Sequence, residues 1–127
     1  IEGKTFGMWG LAFKPYTDDI REAPALYNID ELTKRGATVK VYDPEAMSNV
    51  KKVIGDKVTY ACDEYDAIDG VDALLIMTEW PVFRTPDFGK LKSMMNNNLI
   101  LDGRNLYNLD DMKDSGFEYF SIGREKI

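Results

Sequence analysis

Near the middle of the sequence an unbroken apolar run, ALLIMT at Ala73–Thr78, lies between Asp72 and Glu79 and leaves few possible folds. A strand with one solvent-facing side would alternate apolar and polar residues, and this run does not alternate. Apolar residues on both faces are typical of a strand that is buried on both faces, as in the centre of a parallel sheet. Because parallel strands need long crossover connections, the run predicts helical segments on either side of it.

The rest of the chain supplies those segments as alternating strand and helix patterns. The clearest helix has Pro24 at its first position and Gly36 just after its last turn, which are ordinary start and stop signals. About six strands with helical crossovers predict an α/β fold, a Rossmann-like three-layer sandwich with a mostly parallel sheet. Strands are predicted at Lys4–Gly10, Thr38–Tyr42, Val58–Ala61, Ala73–Thr78, Leu99–Leu101 (also buried) and Phe117–Ile122, and helices at Ala23–Arg35, Ala46–Ile54, Phe88–Met95 and Leu109–Lys113, with a helical turn or two within Asp63–Ile68.

Length and composition exclude several classes of protein. The 127 residues predict a single domain, residues 1–127, and the start at Ile1–Lys4, which lacks an initiator Met, suggests a piece of a longer protein. The net charge of −6, with scattered Lys and Arg, argues against a nucleic-acid partner, and no run approaches the ~20 apolar residues that a membrane span needs. The single cysteine, Cys62, excludes an internal disulfide and fits a reducing compartment such as the cytoplasm. With no histidine either, an ordinary zinc site is excluded and no metal is expected.

The longest stretch without a predicted element, Leu11–Glu22, follows the first strand and precedes the first helix, where open α/β sheets bind ligands. Lys14 and Arg21 are cations suited to phosphate, and Phe13 beside Lys14 can contact a base or a sugar. The alternative is a solvated loop in which Arg21 pairs with Asp18 or Asp19, leaving those two acids a capping and orienting role.

Five collinear motifs resemble the UDP-glucose/GDP-mannose dehydrogenase family, over nearly the whole chain from Lys4 to about Gly123. The longest is G-L-A-F-K-P-x-T-D-D-x-R-E-A-P at Gly10–Pro24, which resembles a signature of the family's C-terminal domain. The others are Val41–Pro44, Asp69–Ala73, Met77–Trp80 with Phe83, and Leu101–Asn105.

The resemblance implies an NAD-dependent enzyme that oxidises the C6 alcohol of a UDP-hexose to a carboxylate, through a thiohemiacetal on a cysteine. It implies an N-terminal NAD-binding domain, a central dimerisation region and a C-terminal Rossmann-like domain that binds UDP, of which this chain matches only the last. The expected partners are therefore a UDP-sugar, the missing N-terminal and central regions, and a second subunit in a homodimer. Phe13, Lys14 and Arg104 match positions that contact the nucleotide-sugar, and Arg21 matches a position that reaches the cofactor across the cleft.

Two family features are absent, so this chain holds no predicted catalytic residue. The G-G-x-C-F-type motif of the catalytic cysteine is missing, and Cys62 lies beside acids that raise a thiol pKa. We therefore expect Cys62 to be a buried or half-buried structural residue. The G-x-G-x-x-G fingerprint is missing as well, since Trp9 occupies the Gly7–Gly10 segment, so NAD is expected to bind mainly to the N-terminal domain.

Three segments near the predicted site have a structural interpretation. Trp80–Phe83 follows the central strand and is predicted to pack over the sheet edge, with lining of the cleft as the alternative. Asp102 is expected to shape the turn that presents Arg104, and Tyr16 to be an exposed loop residue or to stack on a base.

Two other functions remain open. A GDP-mannose or UDP-N-acetylmannosamine dehydrogenase would keep the family and change the sugar, although the context of Ala12 and Pro15 and the T-E-W segment look more like the UDP-glucose branch. A non-enzymatic receiver-like signalling module would need an acidic pair after the first strand, where this chain has Gly10–Ala12.

Overall fold

The computed structural model describes residues 2–21 and 23–122, so the predicted loop residue Glu22 and the end of the family resemblance at Gly123 lie outside it. The strands and α-helices within that range agree with the predicted bounds to within about two residues. They are β1 (Thr5–Trp9), α1 (Pro24–Lys34), β2 (Thr38–Tyr42), α2 (Met47–Ile54), β3 (Thr59–Tyr60), β4 (Ala73–Ile76), α3 (Phe88–Met94), β5 (Leu99–Asp102), α4 (Leu109–Ser115) and β6 (Glu118–Ser121), with 3₁₀ turns at Gly55–Lys57, Asp66–Ile68 and Pro81–Phe83.

The strands form one parallel sheet in the order β3-β2-β1-β4-β5-β6. The chain runs from β1 outward to β2 and β3, crosses to β4, and then runs outward in the other direction to β5 and β6. The direction reverses between β1 and β4, and open α/β sheets bind ligands at the carboxyl ends of strands at such a reversal. The order confirms the Rossmann-like α/β fold and the central position of β4.

Helices cover the sheet from opposite sides. On one side, α1 packs on β1 and β2, where Ile29 lies in the same cluster as Met8. On the other side, α3 packs on β4 and β5, where Leu91 lies in a cluster with Trp9 and Ile100. Met8 and Trp9 belong to different clusters because successive residues of a strand point to opposite faces.

Two glycines of β1 and its carboxyl end are required by close packing. A Cβ at Gly7 would lie 2.7 Å from the carbonyl oxygen of Ala67, and a Cβ at Gly10 would lie 2.5 Å from the Cβ of Thr78. Gly10 also has a φ of +95°, in the region that favours glycine. Both glycines of the Gly7–Gly10 segment thus serve close contacts within the fold.

Local signals set the helix ends. α1 begins at Pro24, α4 follows Asn108, whose side-chain oxygen accepts from the backbone of Asp110, and Gly116 ends α4 in the left-handed conformation with φ of 83°. Among the described residues, no helix is long and apolar enough to cross a lipid bilayer.

The outer strands differ from prediction in their burial. Leu99–Leu101 was expected to be buried throughout, but only Ile100 is buried there, while Leu99 and Leu101 are half-buried. β6 shows the same alternation, with Tyr119 buried and Phe120 exposed. One face of β5 and β6 is therefore open in the described structure.

Candidate functional site

The carboxyl edge of the sheet holds the buried polar residues of the described chain. Asp43 follows β2, Thr78 follows β4 by two residues, and Asp102 ends β5, and each is at most 2% exposed. Because buried polar groups are stable only when they are hydrogen-bonded, their partners indicate what this edge holds in place. All three contact loops that carry residues of the predicted site.

Asp43 joins three segments at the reversal point of the sheet. Its Oδ2 atom accepts hydrogen bonds from the loop after β1 and from the segment after β4, while its Oδ1 atom accepts from the backbone that leads into α2. A carboxylate is a strong acceptor for such clustered N–H groups. The donors are Leu11 N at 2.7 Å, Ala12 N at 3.0 Å and Trp80 Nε1 at 3.1 Å to Oδ2, and Glu45 N and Ala46 N, both at 2.8 Å, to Oδ1.

Thr78 fixes the same loop from the other side. Its hydroxyl donates to the carbonyl oxygen of Ala12 at 2.7 Å, and Gly10 N donates to the carbonyl oxygen of Tyr42 at 2.8 Å. Phe13 N then donates to the carbonyl oxygen of Asp19 at 2.8 Å, which closes the loop on itself. The backbone at Phe13 is thereby held close to the carboxyl ends of β1 and β4.

Asp102 holds the turn that carries Arg104. Its Oδ1 accepts from Arg104 N at 2.8 Å, and its Oδ2 accepts from Leu106 N at 2.7 Å and from the Tyr119 hydroxyl at 2.6 Å. The turn-shaping role predicted for Asp102 is confirmed. The next residue in the turn, Asn105, has a φ of 56°, which is uncommon for a side chain other than glycine.

The Arg104 guanidinium reaches back to the loop after β1. Its Nη2 donates to the carbonyl oxygen of Phe13 at 3.1 Å and lies 3.4 Å from Glu79 Oε1. Its Nε lies 3.1 Å from Glu79 Oε2, but without a hydrogen-bonding alignment. The two side chains of this ion pair are 31% and 27% exposed, and the Phe13 side chain is exposed beside them. Phe13 and Arg104, predicted to share a site, are in contact.

Arg21 is paired within its own loop. Its Nε and Nη2 donate to the two carboxylate oxygens of Asp19 at 3.1 and 3.0 Å, although its own side chain is 88% exposed. The hydrogen bond from Arg21 lowers the pKa of Asp19 to about 2, and the charge of Lys14 contributes in the same direction. The predicted local pairing of Arg21 with an acid is confirmed for Asp19. Lys14 is exposed on the same loop as Phe13.

A cavity of about 440 Å³ opens next to this loop, lined by Tyr16, Thr17, Asp18, Glu45 and Trp80. The Tyr16 ring packs edge-on against Trp80, with ring centroids 5.5 Å apart, and is otherwise exposed. The φ of Tyr16 is 65°, and such backbone strain is found at binding sites more often than elsewhere. The described residues include no cluster of three acids or thiols placed to hold a metal ion.

Trp80–Phe83 packs over the sheet edge, which confirms the structural interpretation of this segment. Phe83 is fully buried and stacks on Trp9 with ring centroids 5.0 Å apart. Trp80 is 6% exposed and presents part of its ring to the cavity. The segment therefore supports the cleft and contributes one aromatic face to it.

The prediction that Cys62 is buried or half-buried is wrong, because its side chain is exposed. The residue follows β3, a two-residue strand at the edge of the sheet, where nothing in the sheet packs outside it. The expected effect of its acidic neighbours is confirmed, since a hydrogen bond to Asp66 raises the pKa of the thiol. A thiol with a raised pKa is a weak nucleophile.

Three residues that organise the site carried no predicted role. Asp43 and Thr78 hold the loop after β1, and Glu79 forms an ion pair with Arg104. For Asp43 a signal existed, because an acid directly after a strand and before Pro44 lies at the ligand-binding edge of a parallel sheet. The pairing of Glu79 with Arg104 depends on strand order and has no local signal.

A family model described as the UDP-binding domain of the UDP-glucose/GDP-mannose dehydrogenase family matches residues 7–109. The chain is 42% identical over 127 residues to UDP-glucose 6-dehydrogenase TuaD of Bacillus subtilis, a match that covers all of this chain and 28% of that protein. It is 43% identical over 130 residues to UDP-glucose 6-dehydrogenase of Pseudomonas aeruginosa, covering 98% of this chain and 29% of that protein. The chain thus spans little more than a quarter of these relatives.

Solved structures give the same result for the fold. A UDP-glucose dehydrogenase from the archaeon Pyrobaculum islandicum superposes with a TM-score of 0.77 at 34% identity, covering 94% of this chain and 25% of that one. A UDP-D-ManNAc dehydrogenase from Pyrococcus horikoshii superposes with a TM-score of 0.73 at 27% identity, covering 97% of this chain and 26% of that one.

Proposed function

Because the chain belongs to the UDP-glucose/GDP-mannose dehydrogenase family and matches its UDP-binding domain, we propose that residues 1–127 form one domain that binds the UDP part of a UDP-sugar. The full-length protein is then an NAD-dependent dehydrogenase of the cytoplasm that oxidises UDP-glucose to UDP-glucuronate. The observation that carries the proposal is the 3.1 Å hydrogen bond between Arg104 and the Phe13 carbonyl oxygen, which joins two loops at the point where the sheet reverses.

Phe13, Lys14 and Arg104 are the proposed nucleotide-sugar residues. The Phe13 ring is 48% exposed, which leaves a face for a base or a sugar. Lys14 supplies an exposed positive charge for phosphate, while the guanidinium of Arg104 can exchange part of its pairing with Glu79 for a phosphate or sugar oxygen. The net charge of −6 makes such local cations necessary for holding an anion.

Arg21 is the proposed cofactor contact. Its guanidinium is 88% exposed, so it fits a phosphate or ribose of a dinucleotide presented from across the cleft, with Asp19 fixing its direction. When bound, NAD accepts the hydride. The remaining parts of the proposed enzyme lie outside this chain: the main NAD-binding domain, the central region that forms a homodimer, and the catalytic cysteine.

UDP-glucose is the proposed substrate because the relatives named above as UDP-glucose 6-dehydrogenases are 42–43% identical to this chain over the matched residues. The solved UDP-D-ManNAc dehydrogenase has the same fold at 27% identity, which keeps that sugar, and GDP-mannose, as the alternatives within the family.

Calorimetry on the full-length protein tests this proposal. We expect heat on titration with UDP and little with GDP. Lys14→Ala and Arg104→Ala should each weaken UDP-glucose binding by about 1.5–3 kcal/mol, the range for hydrogen bonds to charged groups. Arg21→Ala should weaken NAD⁺ binding more than UDP-glucose binding.

Matched controls are Lys113→Ala and Arg35→Ala, which remove cations from the last turn of α4 and the end of α1. Both should leave the affinity unchanged. Equal heats for UDP and GDP, or unchanged affinity in both Lys14→Ala and Arg104→Ala, would contradict the proposed site.

A further inference from the structure

The open face of the outer strands forms an apolar surface. Alternation places Leu75 of β4 on the same face as Met8 of β1, and strand register aligns Leu75 with Leu101 of β5 and Leu101 with Phe120 of β6. A second row begins with Phe6 of β1, which pairs with Ala73. The first row thus runs from β1 through β4 and β5 to β6, and the second row lies next to it on β1 and β4, on the side where α1 lies.

Helix α1 reaches only the inner border of this surface. Leu75 and Met77 pack partly against the cluster beneath α1, whereas Leu99 and Leu101 belong to neither core cluster of the described chain. Two cavities lie along the surface, one of about 330 Å³ at the amino end, near Ala73 and Leu99, and one of about 290 Å³ at the carboxyl end, near Leu101. The strip of β4 and β5 that runs from one cavity to the other is called here the β4–β5 groove.

The β4–β5 groove needs a cover. Parallel sheets occur almost only with both faces packed, and their strands are apolar on both faces for that reason. On the other face, α3 and α4 bury Ile100 and Tyr119 completely. On this face the same strands have only half-buried or exposed apolar residues.

We infer that an amphipathic helix from the segment preceding Ile1 in the full-length protein packs into the β4–β5 groove. This inference rests on the proposed function only in taking the chain as part of a longer protein. The curated relatives named above are more than three times as long as the part matched here, so ample chain is available. The amino end of the groove is lined by Lys4, the residue just before β1. Gly3 N donates to the carbonyl oxygen of Gly36, just after α1, at 3.2 Å, so the preceding chain reaches this end of the sheet beside the end of α1.

The dimensions of the groove fit a short helix. From Ala73 to Met77 a strand rises about 13 Å, which about nine helical residues span. A helix running toward Lys4 would lie beside α1, antiparallel to β4, with an apolar stripe at i, i+3, i+4 and i+7 facing Leu75 and Leu101. Such packing would complete the layer that α1 and α2 begin.

Thiol labelling of the full-length protein tests whether the groove is covered. Ile122 lines the carboxyl end of the groove and is 63% exposed, and Val53 on the outer side of α2, beside Lys51 and Lys52, is 66% exposed. The variants Ile122→Cys and Val53→Cys are therefore matched in exposure. With peptide-resolved mass spectrometry as readout, we expect labelling at position 122 to be slower by roughly tenfold or more, as for a site reached only by local opening.

The labelling rate at position 122 should be the same with and without UDP, because a helix packed in the groove stays there in both states. A ligand cleft that closes on UDP would instead give protection only when UDP is present. Equal labelling rates at positions 122 and 53 would overturn the inference. If the protein still binds UDP, that result would leave the proposed function standing. If position 122 is protected but the protein does not bind UDP, the proposed function would be contradicted and the covered groove would stand.

Photo-cross-linking identifies the occupant. Growth on the diazirine analogue of methionine replaces all six methionines of the chain, including Met77 in the groove, with a near-isosteric reactive residue. Peptide-resolved mass spectrometry then separates the cross-links formed at position 77 from the others. After irradiation of full-length protein mixed from ¹⁴N- and ¹⁵N-labelled subunits, we expect position 77 to cross-link to the segment preceding Ile1 of the same subunit. Cross-links only to the other subunit, to residues 123–127 or to another protein would overturn the inference.

Discussion

At the scale of single residues, the loops of the candidate site are held by three buried polar side chains. Asp43, Thr78 and Asp102 are buried, and each holds backbone of a loop that carries Phe13 or Arg104. Such buried acceptors fix loops more firmly than surface contacts do, because an unmade hydrogen bond there leaves a buried group unsatisfied. The exposed residues of the site therefore have a rigid support.

Asp43→Asn should destabilise the protein by about 2–4 kcal/mol. In the wild type both carboxylate oxygens accept from N–H donors, and in the variant the amide NH₂ would replace one of these oxygens and face those donors. The measurement is urea unfolding of the variant against the wild type. Asp114→Asn, at an exposed position near the end of α4, is the control and should change the free energy of unfolding little. A small effect at Asp43 would mean that its hydrogen bonds contribute little.

The pair formed by Asp19 and Arg21 predicts a pH dependence. The pKa of Asp19 is lowered from its usual 3.8 to about 2, so the pairing is fully present above pH 3.8 and is lost as the pH falls through about 2. Carboxyl ¹³C NMR should show Asp19 still ionised near pH 3. In Arg21→Gln the same signal should titrate near its ordinary value of about 4, and an unchanged midpoint would contradict the pairing.

At the scale of elements, the sheet reversal requires close approach of β1 to its neighbours. The end of β1 passes so near β4 that Gly10 has no room for a side chain, while Gly70 has a positive φ in open space and Gly89 lies in α3 with ordinary contacts. Substitution of these glycines therefore tests different effects on stability: a steric clash with backbone strain at Gly10, backbone strain alone at Gly70, and helix propensity at Gly89.

Gly10→Ala should cost about 2–5 kcal/mol, from the left-handed backbone and the clash with Thr78 together. Gly89→Ala should instead stabilise the protein by about 0.5–1 kcal/mol, because alanine is the better helix former. Thermal unfolding of the two variants measures both effects. Similar small shifts in both would show that the approach of β1 to β4 is looser than described.

At the scale of the whole molecule, one sheet edge gathers every predicted ligand contact while the nucleophile and the dinucleotide fingerprint are missing from the sequence. The exposed Cys62 lies beyond the edge strand β3, and its pKa is raised. These features agree with the proposal that this domain binds a nucleotide and that the redox chemistry belongs to other parts of a longer protein.

The 127-residue chain by itself should not reduce NAD⁺ in the presence of UDP-glucose, since it lacks a competent thiol. Absorbance at the NADH wavelength measures this, with the full-length protein as the positive control. NADH formation by the short chain would refute the placement of the catalytic cysteine outside it.

The residue sequence within short stretches of the chain determined where the helices and strands of this protein lie. Apolar periodicity, Pro24 and Gly116 specify helices and strands through interactions between residues a few positions apart, so their bounds could be predicted. The G-L-A-F-K-P and D-G-R-N segments indicated the candidate site for the same reason, because each is a continuous stretch of chain.

Tertiary structure alone decided which of these stretches meet. The contact between Arg104 and Phe13 spans 91 residues, and the convergence on Asp43 needs β2, β1 and β4 to be neighbours, which periodicity does not encode. An apolar run likewise predicts that Leu99 and Leu101 will be buried, but it does not predict which element covers them. That depends on which elements pack against the strand. The exposure of Cys62 and the open face of β5 follow from strand order and helix placement, and only the folded chain specifies those.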